Sequence, residues 1–236
     1  MPSHPIRIIK RCLPVFICLF CSSVHAQDMN ALVEKLKTKL DQVKDYTAEG
    51  MIKTDVAFIK APVGKVKVYY KQPDHFRLQK EKGISLLPRG GVSVNMRSIL
   101  SVKDFVAIGA GKDQVDGVPV TVVKVIPSGE NNDIVLSTLY IDEARLLVLK
   151  AITTTRDNGT YEISMRYGKY AAYGLPDKLS FAFNTKDYKL PKGVTLEFED
   201  EAPPAARNMK NKKGRIEITY HTYTINQGVP DQVFGL

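Results

Sequence analysis

Tryptophan is absent from the 236 residues, and all three cysteines (Cys12, Cys18, Cys21) crowd into the start of the chain. Beyond residue 26 there is no thiol, which excludes a disulfide framework and a cysteine nucleophile from that part. Histidine is nearly as scarce. Past residue 26 only His75 and His221 remain, too few and too far apart for a zinc site, so each is expected on a strand surface. No G-x-S-x-G nucleophile motif occurs. Ala110-Gly111-Lys112-Asp113 looks like the end of a phosphate-binding loop, but Val106 stands where its first glycine belongs and Asp113 replaces Ser/Thr. The carboxylates Glu197, Glu199, Asp200 and Glu201 adjoin Pro203-Pro204 and the basic run Lys210 to Lys213. They read as an exposed charged loop rather than an acid/base pair. No catalytic constellation emerges, and neither enzymatic activity, a cofactor nor a metal is expected.

Long apolar runs are missing as well. The one between Cys12 and Cys21 is about half the ~20 residues needed to cross a bilayer. It follows Arg7, Lys10 and Arg11 and precedes Val24-His25-Ala26, the layout of an export signal cut after Ala26. The competing reading is a lipobox ending at Cys21, which would give a lipid-anchored protein. Small residues are expected just before such a cysteine, and Phe20 is bulky. Residues 1–26 are therefore read as a signal peptide and 27–236 as a single soluble, exported domain. The leader holds three basic and no acidic residues, so removing it lowers the formal charge from +9 to +6. Such a surplus suits solubility and weak attraction to anionic membranes. Nucleic acid is not an expected partner, because the lysines are scattered and the compartment is wrong.

What is present is one helix and many strands. Met29, Leu32, Val33, Leu36, Leu40 and Val43 recur at helical spacing behind a capping Asp28, predicting an amphipathic helix over 28–44. Strands are predicted near 46–58, 65–71, 75–80, 118–126, 134–142, 146–155, 160–167, 179–184, 194–199 and 215–225. Asp157-Asn158-Gly159 is the strongest hairpin signal, Asn-Gly suiting a type I′ turn. Gly83 to Gly111 escapes the pattern, and Ser98 to Val106 is read as a short second helix burying Ile99, Leu100, Phe105 and Val106. Gly159 to Asp177 and Gly214 to Asp231 share a glycine–strand–aromatic–Gly-x-Pro-Asp grammar, which implies an antiparallel meander. The fold class is α+β: a strongly curved antiparallel sheet, an incomplete β-barrel, with the two helices as a lid over a hydrophobic cavity. No covalent chemistry is needed by such a shape, whereas an apolar guest is.

The most informative segment is Tyr69 to Leu78, two short strands around Pro73-Asp74. Val68-Tyr69-Tyr70-Lys71-Gln72-Pro73-Asp74-His75-Phe76-Arg77 resembles the recurrent aromatic-x-Lys-x-Pro-x-x-Phe-Arg segment of the periplasmic lipoprotein-carrier (LolA-like) superfamily. Leu36 to Tyr46 is similar to that family's first helix and its entry into the first strand. Val115 to Pro127, Leu139 to Asp142 and Leu190 to Val194 fit its later strands more loosely. The resemblance implies a periplasmic, monomeric carrier of lipoprotein acyl chains or other lipids. An inner-membrane ABC transporter would be its donor and an outer-membrane protein its acceptor. A non-catalytic sensing or interaction module on the same scaffold is the alternative. The expected lining is Leu36, Leu40 and Val43 from the lid with Val68, Tyr70, Phe76 and Leu78 from the sheet. Before its proline the family typically carries an arginine that latches the lid. Here that residue is Gln72, an amide that can still bond lid carbonyls without charge assistance. Arg77 is the substitute candidate.

Overall fold

Asp28 starts the first element as its sequence position suggests: its carboxylate accepts from the N–H groups of Asn30 and Ala31, at 2.9 and 3.3 Å. The computed structural model describes residues 28–55, 63–80, 100, 104–128, 133–156, 159–184 and 213–235. Helix α1 spans Met29–Asp41 and buries Leu32, Val33 and Leu36. It ends three residues before the predicted Lys44. The reason lies at the far end of the chain, where Asn226 accepts from the Lys44 N–H (2.7 Å) and donates to the Gln42 carbonyl (2.9 Å). That side chain takes over groups that another helical turn would have used.

Among the described residues ten strands make one antiparallel sheet. They are β1 (Asp45–Asp55), β2 (Gly64–Lys71), β3 (His75–Lys80), β4 (Phe105–Val115), β5 (Val118–Pro127), β6 (Ile134–Asp142), β7 (Leu147–Thr155), β8 (Gly159–Arg166), β9 (Lys178–Asn184) and β10 (Lys213–Ile225). Their spatial order is β3-β2-β1-β10-β9-β8-β7-β6-β5-β4. Every neighbour is sequential except β1 beside β10, which joins the start of the sheet to its end. Among the described residues β3 and β4 have no strand partner on their outer sides, so the barrel is incomplete.

Alternation assigns the faces. In β1, Tyr46, Ala48 and Ile52 point inward; in β2, Val66, Val68 and Tyr70 do. Register carries the same face round the sheet through Leu139 and Ala151 to Ile163, Phe181 and Ile216. These side chains and the buried stripe of α1 form one apolar cluster. A smaller cluster of Val120, Leu147 and Leu149 lies apart from it, covered by Tyr167 and Ala171.

Two sequence expectations change. The stretch Ser98 to Val106 is not a helix at its end, because Phe105 and Val106 open β4. Leu100 is helical and buried as expected, whereas Phe105 is a half-buried and Val106 an exposed strand residue. An apolar run flanked by glycines has the same composition in a short helix and in an edge strand, and the alternation of Phe105, Ala107 and Gly109 against Val106 and Ile108 decides for the strand. β4 also absorbs Ala110 to Asp113 into a register shift between Gly109 and Lys112, with Gly111 at φ 95°. That bulge and Lys112 blunt the exposed edge against pairing with other chains. The predicted strand 194–199, the carboxylates 197–201 and residues 157–158 of the Asn-Gly turn lie outside the described residues, although β7 and β8 do pair as a hairpin up to Thr155 and Gly159.

Gly50 sits where β1 shifts register against β10. A Cβ there would collide with the backbone carbonyl of Thr219, so only glycine lets the strands approach. Gly50→Ala is expected to cost about 2 kcal/mol in urea unfolding, because backbone rather than a flexible side chain must yield. An unchanged unfolding midpoint would mean that β1 and β10 do not meet this closely.

Candidate functional site

Helix α1 lies along the unclosed side of the sheet and is tied at both ends. At its start, Asn30 accepts from the Ala107 N–H of edge strand β4 at 2.9 Å. Met29 packs over Gly109, where a Cβ would stand 3.5 Å from its side chain. The Lys37 ammonium lies 5.1 Å from the centre of the Phe105 ring, within range for a cation–π contact. At the helix end, Lys39 donates to the Arg145 carbonyl (2.7 Å) in the β6–β7 turn. Burial and the neighbouring Arg145 charge lower the Lys39 pKa, with Asp142 working in the opposite sense.

The β2–β3 turn reaches the same helix end from the other edge. Gln72 donates its amide to the carbonyls of Asp41 and Val43, at 3.2 and 3.3 Å. Its own N–H donates to the Lys44 carbonyl. The Gln72–Pro73 peptide is cis, and Tyr70 donates its hydroxyl to the Pro73 carbonyl. Arg77 turns elsewhere. It donates to the carbonyl of Val233 in the C-terminal 3-10 turn (Asp231–Phe234) and does not reach α1. Lys71 pairs with Asp231 at 2.5 Å, and His75 lies against Phe234. The outward face of β3 therefore anchors the chain's last turn, and the Lys71 partnership holds the Asp231 carboxyl below its ordinary pKa.

Every lining residue expected from the sequence lands in the same apolar cluster. Leu36, Val43, Val68 and Tyr70 are buried; Leu40, Phe76 and Leu78 are partly buried against them. Register brings Tyr70 opposite Phe76 and Val68 opposite Leu78. Leu40 also meets the 167–177 connection, since a Cβ on Gly174 would come within 2.8 Å of it.

The sequence did not single out the aromatic floor below the helix end. Tyr46 stacks on Tyr70 with ring centres 5.3 Å apart, and Tyr223 meets Tyr46, Tyr170 and Tyr220 at 5.4, 4.9 and 5.1 Å. Tyr223 donates its hydroxyl to the Pro176 carbonyl at 2.8 Å. Simple alternation misses this group because Tyr220 and Tyr223 are three apart yet both inward. The register shift at Glu49/Gly50 leaves His221 unmatched and flips the parity. Its legible signal was the density of tyrosines near strand ends.

Among the described residues no three His, Cys, Asp or Glu side chains gather as a metal site would require, and no helix is long and apolar enough to cross a membrane. No family model and no curated protein matches the sequence. Solved structures do match. A DUF1329 family protein from Desulfovibrio piger superposes with a TM-score of 0.51 at 12% identity, covering 88% of this chain and 97% of that one. A LolA superfamily protein from Nitrosomonas europaea gives 0.51 at 10% identity, over 89% of this chain and 98% of that one. The chain has a LolA-like fold. At such identity the likeness concerns the backbone path, and the chemistry of this LolA-like interior rests on its own side chains.

Those side chains make the fold sensitive to alkali. Burial raises the Tyr161 phenol to about 12 and raises Tyr167, Tyr220 and Tyr223 further. An unfolded tyrosine ionises near ~10, so above that pH the unfolded chain holds fewer protons than the native one and stability falls. The contribution is complete below pH ~10 and is lost as pH climbs through the folded values. Urea midpoints should drop from about pH 10 to 12, with tyrosinate absorbance of the buried rings rising only as circular dichroism is lost. Midpoints that stay level across that window would contradict the buried floor.

Proposed function

We propose that this protein is an exported carrier that holds acyl chains of lipoproteins, or of other lipids, in the interior beneath α1 and moves them toward the outer membrane. One observation supports the reading above others. Among the described residues the open side of an apolar-faced sheet is covered by the amphipathic helix α1, fastened by polar contacts at its two ends rather than by strand pairing. Residues 27–236 form the carrier domain, released into the periplasm by cleavage after Ala26. A donor in the inner membrane and an acceptor in the outer membrane are the partners such a soluble shuttle requires.

Magnitudes make the exchange feasible. Uncovering Leu32, Val33 and Leu36 costs about 5–9 kcal/mol at 1.5–3 kcal/mol for each side chain. A guest recovers about 0.8 kcal/mol for each methylene it buries, so about ten methylenes offset the opening. A short or polar guest does not. A full acyl chain binds with a modest surplus, which permits handover to an acceptor.

Gln72 acts as the latch in this scheme. It grips the Asp41 and Val43 carbonyls, which are among the groups that no helical N–H satisfies at a helix end. Being uncharged, it holds α1 less firmly than an arginine would. Leu36, Leu40, Val43, Val68, Tyr70, Phe76 and Leu78 supply the apolar lining, and Arg77 serves the C-terminal turn instead of the lid.

The experiment is binding of a fluorescent fatty-acyl probe to protein stripped of lipid. Wild type is expected to bind it. Gln72→Ala should speed probe release about three- to tenfold, the loss of one net hydrogen bond, and Gln72→Arg should slow release. Stripped wild-type protein that is folded and binds no acyl probe would refute the carrier reading.

A further inference from the structure

On the largely apolar inner face of the sheet, one row brings three buried hydroxyls side by side. Ser137 on β6 is paired with Thr153 on β7, and Thr153 with Tyr161 on β8. All three are buried, at 1%, 0% and 5% exposure. Ser137 Oγ and Thr153 Oγ1 are 3.0 Å apart, and Tyr161 stands beside Thr153 in register. Val125 and Phe183 flank the row in register. The next row toward the turns is wholly apolar, running Val123, Leu139, Ala151, Ile163 and Phe181.

Three hydroxyls carry three O–H donors. Ser137 and Thr153 share one hydrogen bond, so a donor is left for another acceptor. A buried donor without a partner is costly, and valine and phenylalanine would fill the same places without that cost. We propose that the Ser137–Thr153–Tyr161 row is a subsite for the carbonyl oxygen of an acyl ester or amide, which accepts the spare O–H while the hydrocarbon tail runs over the apolar row beside it. This deepens the carrier reading and rests on it: the interior selects lipids whose chains are joined through a carbonyl, and not hydrocarbon as such. Diacyl phospholipids and the acylated N-terminus of a lipoprotein share that group.

The test compares ester lipids with ether analogues of the same chain length, in which the carbonyl is a methylene. One arm uses a diacyl phosphatidylglycerol and the other a diacylglyceryl-cysteine peptide, each against its dialkyl ether counterpart, with full-length processed protein stripped of lipid. Wild type is expected to prefer the ester about three- to tenfold, the worth of one net hydrogen bond. The arm showing that preference identifies the source of the chain. Tyr161→Phe and Ser137→Ala, each removing one oxygen from the row, should shrink the preference toward unity while leaving ether affinity in place. Equal binding of ester and ether in both arms overturns the subsite and leaves the carrier intact. Absence of binding to either lipid class overturns both. The wild-type comparison decides the matter even where a variant fails to fold.

Discussion

The pairing of β1 with β10 is the constraint on which the remainder depends. Ten residue pairs, from Tyr46 with Ile225 to Asp55 with Arg215, join the beginning of the sheet to its end. Without them the β2–β3 hairpin would be a separate three-stranded piece with β1, and the meander from β4 to β10 would have no second wall to face. With them, the two free edges belong to β3 and β4, and the gap between those edges determines where α1 must lie. The helix fits because β4 offers Ala107 and Gly109 beneath Asn30 and Met29, while the hairpin turn offers Gln72. Its short link to β1 fixes its lower end, where Asn226 of the β10 end binds the linker from both sides.

Much of this was legible from residue order. The hairpin from Tyr69 to Leu78 shows its alternation openly, and its boundaries match β2 and β3 within a residue. That Leu36, Leu40, Val43, Val68, Tyr70, Phe76 and Leu78 share one apolar cluster follows from helical and strand periods that tertiary packing does not disturb. What escaped was set by distant partners. The helix end is decided by Asn226, some 180 residues away in sequence, which no local pattern reveals. β4 was hidden because its polar half, Ala110 to Gln114, is an exposed edge with a bulge and so has no apolar alternation to detect. The parity change at His221 belongs to the same class: one extra residue reverses which tyrosines face inward.

The hydroxyl row shows a different limit. Serine and threonine in a strand are ordinary residues on a solvated face, and Thr153-Thr154-Thr155 looks like one until register places Thr153 between Ser137 and Tyr161. Only the buried side then makes the hydroxyls unusual. The same oxygen that costs little outside becomes, inside, a group that must find an acceptor.

Release is the harder half of carrying. A wall that was apolar throughout would hold a long chain more tightly with every methylene, and nothing in it would sense the chemical group at the head of that chain. In the proposed carrier a neutral latch and a hydroxyl row would change the balance in a useful direction. In that scheme Gln72 would add only about 1 kcal/mol to the cost of opening α1, one net hydrogen bond's worth. A carbonyl bonded at the proposed Ser137–Thr153–Tyr161 subsite would give up only about one hydrogen bond's worth on leaving, which an acceptor site or water would return. Affinity is thereby divided between a large term that scales with chain length and two small polar terms that open and orient. The latch is the term a partner protein could compete for by contact with the helix end, because both Gln72 acceptors, the Asp41 and Val43 carbonyls, lie there.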